Sequence, residues 1–219
     1  MKKYVLLLGL LIQAVSVLAQ ETSVGKSIFS VHAGPSWYLG KMIGITNNSD
    51  AYRNDLRNGI AWDANYYFLG DKYIFGSFKL APGLIYQGGR YKNTHDESSD
   101  KILMHYFAPQ LALFMVKQKY HLSLSTGVGY QHYKDKSFLY GKPRDVSMNK
   151  LAYNLSAGGE YRLSPLVGIS ANLNWIVTSS ERYSVRYPGQ KWQVESPDLS
   201  GGGGCFSQLS LLFGMNLHF

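Results

Sequence analysis

The C-terminal run 206–219 alternates between large apolar side chains and side chains that are mostly small or polar, and it continues to the final residue. Successive side chains of a strand point to opposite faces, so this spacing predicts a strand with one apolar face. A transmembrane β-barrel closes with such a strand, because its last strand contacts lipid along one face. The apolar face comprises Leu209, Leu211, Phe213, Met215, Leu217 and Phe219.

The N terminus has the three parts of a secretory signal peptide. Lys2 and Lys3 are basic, 4–18 is apolar apart from two residues, and small or β-branched residues precede position 20. The pattern predicts a signal peptide at 1–19 and one mature domain at 20–219. The apolar run is too short for a typical membrane-spanning helix, and no run of about eighteen apolar residues follows it.

Composition and charge exclude several classes of protein. Charged residues make up 16% of the chain, below the ~25% usual for soluble domains. The 17 tyrosines suit a membrane–water boundary, because each has an apolar ring and a polar tip. The single Cys205 excludes an internal disulfide framework. The net charge of +8 forms no basic stripe, so we expect no nucleic-acid partner. Much of the excess lies in 134–150, which we interpret either as a solvated loop or as a loop that contacts anionic lipopolysaccharide or an acidic partner.

Strand-like alternation recurs eight times, and each run is long enough to cross a bilayer when tilted. Connections between the runs are alternately long and short, as expected for extracellular loops and periplasmic turns. The short connections are 70–72, 117–119 and 164–165, and the long ones are 40–59, 88–101, 134–150 and 177–205. The runs are 27–39, 60–69, 75–87, 103–116, 120–133, 151–163, 167–176 and 206–219.

The apolar faces of these runs hold more large side chains than an eight-stranded lumen can contain. The polar faces are poor in Lys and Glu, which a water-facing surface would carry. We therefore predict a monomeric, all-β, eight-stranded antiparallel up-and-down transmembrane β-barrel in a bacterial outer membrane. Pro35, Pro82 and Pro109 fall on the lipid face, where we expect local bulges. Aromatic side chains cluster at both strand ends, as in aromatic belts: Trp37, Trp62, Tyr86, Tyr130, Tyr153 and Trp175 at one end, and Phe29, Tyr66, Phe68, Tyr161 and Phe219 at the other.

Three segments, 80–89, 105–111 and 125–130, resemble the small OmpA/OmpX-like barrels, and more closely the PorT-like outer membrane protein β-barrel group. The resemblance implies a barrel over nearly the whole mature chain, and it indicates architecture better than function because roles within the group are diverse. Met215, Leu217 and Phe219 look like the terminal signal that the barrel-assembly machinery reads. The implied partners are therefore outer-membrane lipid or lipopolysaccharide and the assembly machinery.

Two sets of residues are candidate sites. The first is a charge cluster in the lumen, which either fills a narrow barrel with internal pairs or gates a small pore. The second lies in the last loop, where aromatic and basic residues together suit contact with a glycan or surface protein, unless the loop folds over the barrel mouth. The lumen set is Asp63, Lys79, Glu160 and Arg162, and the loop set is Arg182, Tyr183, Arg186, Tyr187, Lys191 and Trp192.

Catalysis and metal binding have little support in the sequence. His121 and Ser123 have His-x-Ser spacing, but on the inner face, whereas lipid A-modifying barrels place such groups toward the membrane. The glycine run 201–204 lacks the Lys-Ser/Thr of a phosphate-binding loop and is interpreted as a hinge. We expect no enzymatic activity, no cofactor and a structural or adhesive role, with a narrow pore and a lipid A-modifying enzyme as alternatives. No metal-ligand spacing relates His32, His105, His121, His132 and His218.

Overall fold

The computed structural model describes residues 26–219, with gaps at 41, 43–44, 48, 72, 75, 96–97, 181, 189 and 196–203. For 190–195 and Gly204 it describes the backbone alone. The predicted signal peptide at 1–19 and most of the glycine run lie outside the described residues. Among the residues described, no helix is long and apolar enough to cross a membrane.

Eight antiparallel strands close into a barrel. Each barrel strand pairs with the next one along the chain, and the last pairs with the first, with Ile28 opposite His218. The predicted eight-stranded antiparallel up-and-down barrel is therefore confirmed. The barrel strands are β1 Ser27–Leu39, β2 Asn58–Phe68, β3 Phe78–His95, β4 Ser98–Val116, β5 Tyr120–Leu139, β6 Lys142–Arg162, β7 Val167–Val177 and β12 Ser207–His218.

The two ends of the barrel differ in their connections. We call the end that holds Ser27, Phe219 and the short β4–β5 and β6–β7 connections the turn end, and the opposite end the loop end. The loop end carries the further elements of the fold. These are helix α1 Asp50–Leu56, β8 Ser179–Ser180, β9 Arg182–Tyr187, β10 Gln190–Glu195 and β11 Gly204–Cys205.

The wall of the barrel is apolar outside and polar inside over most of its height. Leu111, Leu124 and Phe213 are 47%, 53% and 55% exposed on the outer face. The inward side chains of Gln87 and Asn174 are almost fully buried. An apolar outer band around a polar interior is the arrangement that a lipid environment favours.

Four strands are longer than the sequence predicted, so the expected loops 88–101 and 134–150 are wrong. β3 and β4 continue to His95 and from Ser98, and β5 and β6 meet at a turn where Tyr140 and Gly141 have φ of 50° and 73°. The alternation continues through these segments, but most of its charged residues lie outside and most of its apolar residues lie inside. Asp100, Asp135 and Arg144 are charged but buried. A charged outer face resembles a loop in composition, although the strand continues.

The two other long connections are also structured. In 40–59, Ser49 caps helix α1 by accepting a hydrogen bond from the Tyr52 amide, and the helix buries Tyr52 and Leu56. In 177–205, β9 pairs with β10 and also with the loop-end part of β6. Both connections therefore pack onto the extended strands instead of projecting freely.

The prolines lie on the exposed outer face as predicted, but the expected bulges are absent from these strands. Residue pairing keeps one register past Pro35, Pro82 and Pro109, with no inserted residue. Instead, the pairing of β1 with β12 is interrupted at Pro35, and that of β4 with β5 at Pro109. Pro82 lies one residue beyond the end of the β2–β3 pairing. Each proline therefore lies where a missing N–H interrupts one ladder locally.

Candidate functional site

Polar side chains cross the middle of the lumen in one hydrogen-bonded chain. Gln110 donates to Asn154, Asn154 to Asn174, and Asn174 to Gln87. Gln87 then donates to the hydroxyl of Ser210 at 3.1 Å. These residues come from β3, β4, β6, β7 and β12, so the chain spans the barrel and occupies its interior.

A second polar chain lies nearer the turn end. Asp63 Oδ1 lies 2.6 Å from His32 Nδ1, and His32 Nε2 lies 2.8 Å from Ser170 Oγ. Ser170 donates to Asn216 Oδ1 at 2.8 Å, and Asn216 donates to Glu160 Oε2 at 2.7 Å. The chain links two buried carboxylates across the lumen through neutral side chains and one histidine.

Glu160 ends this chain between two further histidines. His218 Nε2 lies 2.5 Å from Glu160 Oε1, and His121 Nδ1 lies 3.5 Å from Glu160 Oε2. All three side chains are at most 4% exposed. We call His121, Glu160 and His218 the histidine cluster. Sequence spacing did not indicate it, because three different strands contribute one residue each.

The four charged residues predicted as a lumen cluster do not meet. Asp63 contacts His32, and Glu160 lies in the histidine cluster. Lys79 donates to the Gly70 carbonyl at 3.0 Å and lies over the Tyr73 ring at 4.7 Å. Arg162 donates to the Pro165 carbonyl at 2.5 Å. The carboxylates therefore pair with histidines, while the two cations bind turns at the barrel mouth.

The predicted His-x-Ser pair is not assembled as a catalytic unit. Neither ring nitrogen of His121 makes a hydrogen bond within the described residues, so His121 is not bonded to Ser123. Asp63, His32 and Ser170 instead have the hydrogen-bond order of a catalytic triad, from carboxylate to Nδ1 and from Nε2 to hydroxyl. However, the Ser170 hydroxyl donates its hydrogen bond to Asn216. The Asn172 amide also lies 3.3 Å from His32 Nδ1.

The loop end encloses an apolar core. Tyr133 and Phe206 meet edge to face with ring centroids 4.8 Å apart, and helix α1 adds Tyr52 and Leu56. Inward residues of β3–β6 and β9 complete the core, which closes the lumen from this side. The loop-end core comprises Tyr38, Met42, Ile45, Tyr52, Leu56, Tyr91, Ile102, Met104, Tyr133, Val146, Met148, Val185 and Phe206.

Two buried carboxylates lie at this core, and one of them anchors the connection between β1 and β2. Asp100 Oδ2 accepts hydrogen bonds from the Thr46 hydroxyl at 2.7 Å and the Tyr52 hydroxyl at 2.8 Å. Asp135 accepts from the Lys101 amide at 3.0 Å, and Arg144 lies within 4.0 Å of both carboxylates. Burial, and then the neighbouring Asp100 charge, raise the pKa of Asp135 to about 8.

The residues predicted as loop contacts divide between core and surface. Tyr183 and Tyr187 pack against the loop-end core. This is the arrangement expected if the last loop folds over the barrel mouth. Arg182 and Arg186 are exposed, and the side chains of Lys191 and Trp192 lie outside the described part of the chain. A pocket of about 260 Å³ lies between β6 and β9. It is lined by Pro143, Arg144, Asp145, Arg186, Tyr187 and Pro188.

A row of cations crosses the outer face of the loop end. Lys92 lies opposite Lys101, and Lys101 lies opposite Lys136 on the next strand. The next positions are the acidic Asp145 on β6, opposite Lys136, and the basic Arg186 on β9. We call Lys92, Lys101, Lys136 and Arg186 the cationic row. The predicted segment 134–150 contributed one of its members, whereas the others lie outside that segment.

Three solved outer-membrane proteins have a similar fold. A major outer membrane protein from Thermus thermophilus has a TM-score of 0.56 at 15% identity, covering 88% of this chain and 99% of that chain. The outer membrane protease OmpT from Escherichia coli scores 0.50 at 10% identity, covering 91% and 99%. OprG from Pseudomonas aeruginosa scores 0.50 at 10% identity, covering 89% and 97%. No protein-family model and no curated protein sequence matches the chain.

The closed barrel, its apolar outer band and this likeness define the class: a small outer-membrane β-barrel. The fold and the apolar band indicate a location in a bacterial outer membrane. At such low identities the likeness concerns the fold alone, so the role of the barrel has to be argued from its own residues.

Proposed function

We propose that the protein is a surface-binding barrel, with a structural or adhesive role, whose loop end holds an anionic glycan. The cationic row is the observation that supports this most directly. Lys92, Lys101 and Lys136 lie directly opposite one another on three neighbouring strands. Like charges in such positions destabilise a sheet. A bound anion would offset this repulsion, so anion binding would account for the row.

The loop end is suited to binding because its shape is preformed. Its strands are paired, and its inner face packs on the loop-end core. A rigid surface loses little conformational entropy when a ligand binds. Flexible loops of the same composition would lose more conformational entropy, because binding would have to order them.

Phosphate groups are the anions that fit this position best. The row faces away from the barrel axis, and Lys92 lies six residues beyond the belt residue Tyr86, about 20 Å along the strand. Phosphorylated sugars of the surrounding lipopolysaccharide would meet the row from the side. A glycan from another surface offers the same charge but would approach from above.

The test is glycan binding by the purified barrel in detergent micelles. The charge-neutralised variant is Lys92→Gln, Lys101→Gln and Lys136→Gln. The probes are lipopolysaccharide oligosaccharide, the same oligosaccharide after dephosphorylation, and heparin. We expect the variant to bind the phosphorylated oligosaccharide about 100-fold more weakly, since each of the three lysines near an anionic surface contributes about 1 kcal/mol.

A matched control removes the same charge from the turn end. Lys26, Lys117 and Lys119 are exposed there, and their change to Gln lowers the net charge by the same amount. Control binding should equal that of the wild type. Equal loss in both triple variants would indicate nonspecific charge attraction and contradict the proposal. Loss of heparin binding without loss of oligosaccharide binding would assign the row to a glycan from another surface.

A pore has less support than surface binding. Side chains from five strands occupy the middle of the lumen, and the loop-end core closes it from one side. We expect no conductance in planar bilayers for the wild type or for Glu160→Gln. Steady single-channel currents would support a pore function instead.

A hydrolytic function has one observation in its favour, which is the order Asp63–His32–Ser170. We propose a structural role for it, because Ser170 donates to Asn216 instead of to the histidine. Ser170 should therefore not react with a fluorophosphonate probe. Labelling that disappears in Ser170→Ala would assign a lipid- or ester-directed enzyme.

We also propose that Met215, Leu217 and Phe219 are read by the barrel-assembly machinery. Met215 and Leu217 lie on the outer face of β12, and Phe219 follows its last residue. Phe219→Ala should lower the amount of folded barrel in cells but leave refolding of the purified chain into micelles unchanged. Equal defects in both assays would indicate that Phe219 acts only through packing and would contradict the proposal. Membership of the PorT-like group remains a prediction.

A further inference from the structure

We propose that the histidine cluster binds a divalent transition-metal ion of the zinc type. The donors are one nitrogen each of His121 and His218 and the carboxylate of Glu160, and their ligand atoms lie within 4.8 Å of one another. Two imidazoles and one carboxylate form a common donor set for Zn²⁺ in proteins. A water or another small ligand would complete the coordination.

His121 is the observation that separates a metal site from a simple ion pair. Its side chain is 4% exposed and its Nδ1 lies 3.5 Å from Glu160 Oε2, but neither ring nitrogen makes a hydrogen bond among the described residues. A buried polar group without a partner costs about 1–3 kcal/mol. The Glu160 carboxylate already has contacts with His218 and Asn216. It therefore does not need His121 as a further partner. A metal ion would satisfy His121 and explain its place beside two other donors.

The geometry requires only small side-chain movements. A zinc ion about 2.1 Å from each donor separates neighbouring donors by about 3.4 Å in a tetrahedral site. The His218–Glu160 distance of 2.5 Å must therefore open by about 1 Å. The His121–Glu160 distance of 3.5 Å already fits. The rings of His121 and His218 lie at 77° to each other with centroids 5.4 Å apart.

The surroundings hold the carboxylate in place. Asn216 donates to Glu160 Oε2 and is itself fixed by Ser170, which is the kind of outer contact that orients metal ligands. Gly168 leaves room for the carboxylate, because a Cβ at that position would lie 2.0 Å from Glu160 Oε1. His121 is the second residue of β5 and His218 the last of β12, so the cluster lies just inside the turn-end mouth.

Zinc binding by the full chain without a histidine tag tests the site. The folded barrel in micelles is stripped with a chelator, titrated with Zn²⁺ and analysed for bound metal after gel filtration. We expect one ion per chain. His121→Ala and Glu160→Gln should each weaken binding at least about 10-fold. Folding of every variant is checked by heat-modifiability on a gel.

The outer-face pair His105 and His132 supplies the matched control, because their rings stack 6.5 Å apart at the surface. His105→Ala/His132→Ala should keep the bound ion. Loss of binding in this double variant, unchanged binding in His121→Ala, or no stoichiometric binding by the wild type would each overturn the proposal.

X-ray absorption at the zinc edge keeps the proposal testable if the cluster variants fail to fold. The spectrum is recorded on the outer-face double variant, which leaves the cluster unmutated. We expect two imidazole ligands together with oxygen donors. A spectrum with oxygen donors alone would contradict the site.

Discussion

The membrane part of the barrel and its loop end are built from the same strands with opposite polarity. On β5, Val128 and Tyr130 face outward in the membrane part, whereas Lys134 and Lys136 take the outward positions at the loop end. Tyr133 is correspondingly buried inside. The alternation keeps its phase while the surroundings change from lipid to water. One continuous strand can therefore satisfy two solvents by exchanging the residue types of its faces.

The difference predicts different sources of stability for the two regions. At the loop end, burial of apolar side chains away from water stabilises the structure. In the membrane part, lipid is as apolar as the outward side chains, so hydrogen bonds in the lumen and close packing carry more weight. Matched substitutions in the two regions should separate these contributions.

The largest effect is expected from Phe206→Ala. Phe206 is fully buried in the loop-end core and packs on Tyr133, so truncation should destabilise the loop end by about 3–5 kcal/mol. The measurement is the urea midpoint of the loop end, followed by limited proteolysis in micelles. Phe213→Ala, at a site 55% exposed on the outer face, is the control. Equal destabilisation by both would remove the distinction between the regions.

A smaller effect is expected from Gln87→Leu in the lumen. Gln87 bonds Asn174 and Ser210, so leucine leaves buried polar partners unsatisfied at a cost of about 1–3 kcal/mol. Unfolding in micelles followed by tryptophan fluorescence should show the loss. Gln118→Leu in the exposed β4–β5 turn should be neutral. A stabilised Gln87→Leu barrel would mean that the polar chain does not support the fold.

Per pH unit, the smallest effect is expected from the titration of Asp135 at the loop end. The pKa of Asp135 is raised to about 8 in the folded state, against about 3.9 unfolded. Between these values the folded state keeps a proton that the unfolded state releases, so stability falls as pH rises, by at most about 1.4 kcal/mol per pH unit. Asp135→Asn should flatten this dependence and be the more stable form at pH 9. A wild-type loop end that gains stability from pH 5 to pH 8 would contradict the assignment.

Much of the fold could be predicted from the sequence, because period-two alternation is a local property. The strand count, the antiparallel order and the lipid face of Pro35 and Leu111 all follow from it. The ends of β3–β6 could not be placed, because a charged outer face was interpreted as loop. The apolar residues Tyr91 and Met104, which continue the same period-two phase in the sequence, were the signal that could have extended the strands.

The histidine cluster could not be predicted from the spacing of its residues in the sequence. Glu160 and His218 are 58 positions apart, and His121 joins them only because β5 and β6 pair in a register that sets it opposite Glu160. Without that register, inner-face histidines are separate polar residues. Their shared place near the turn end of three strands was the available signal.

Hydrogen–deuterium exchange of 88–101 and 134–150 in the intact barrel tests the central claim most directly. If β3–β6 continue as paired strands around an apolar core, amides of both segments should exchange slowly, at rates near those of the membrane part. Phe206→Ala should speed exchange there and leave the lumen strands protected. Exchange within seconds in the wild type, as in free loops, would contradict the account.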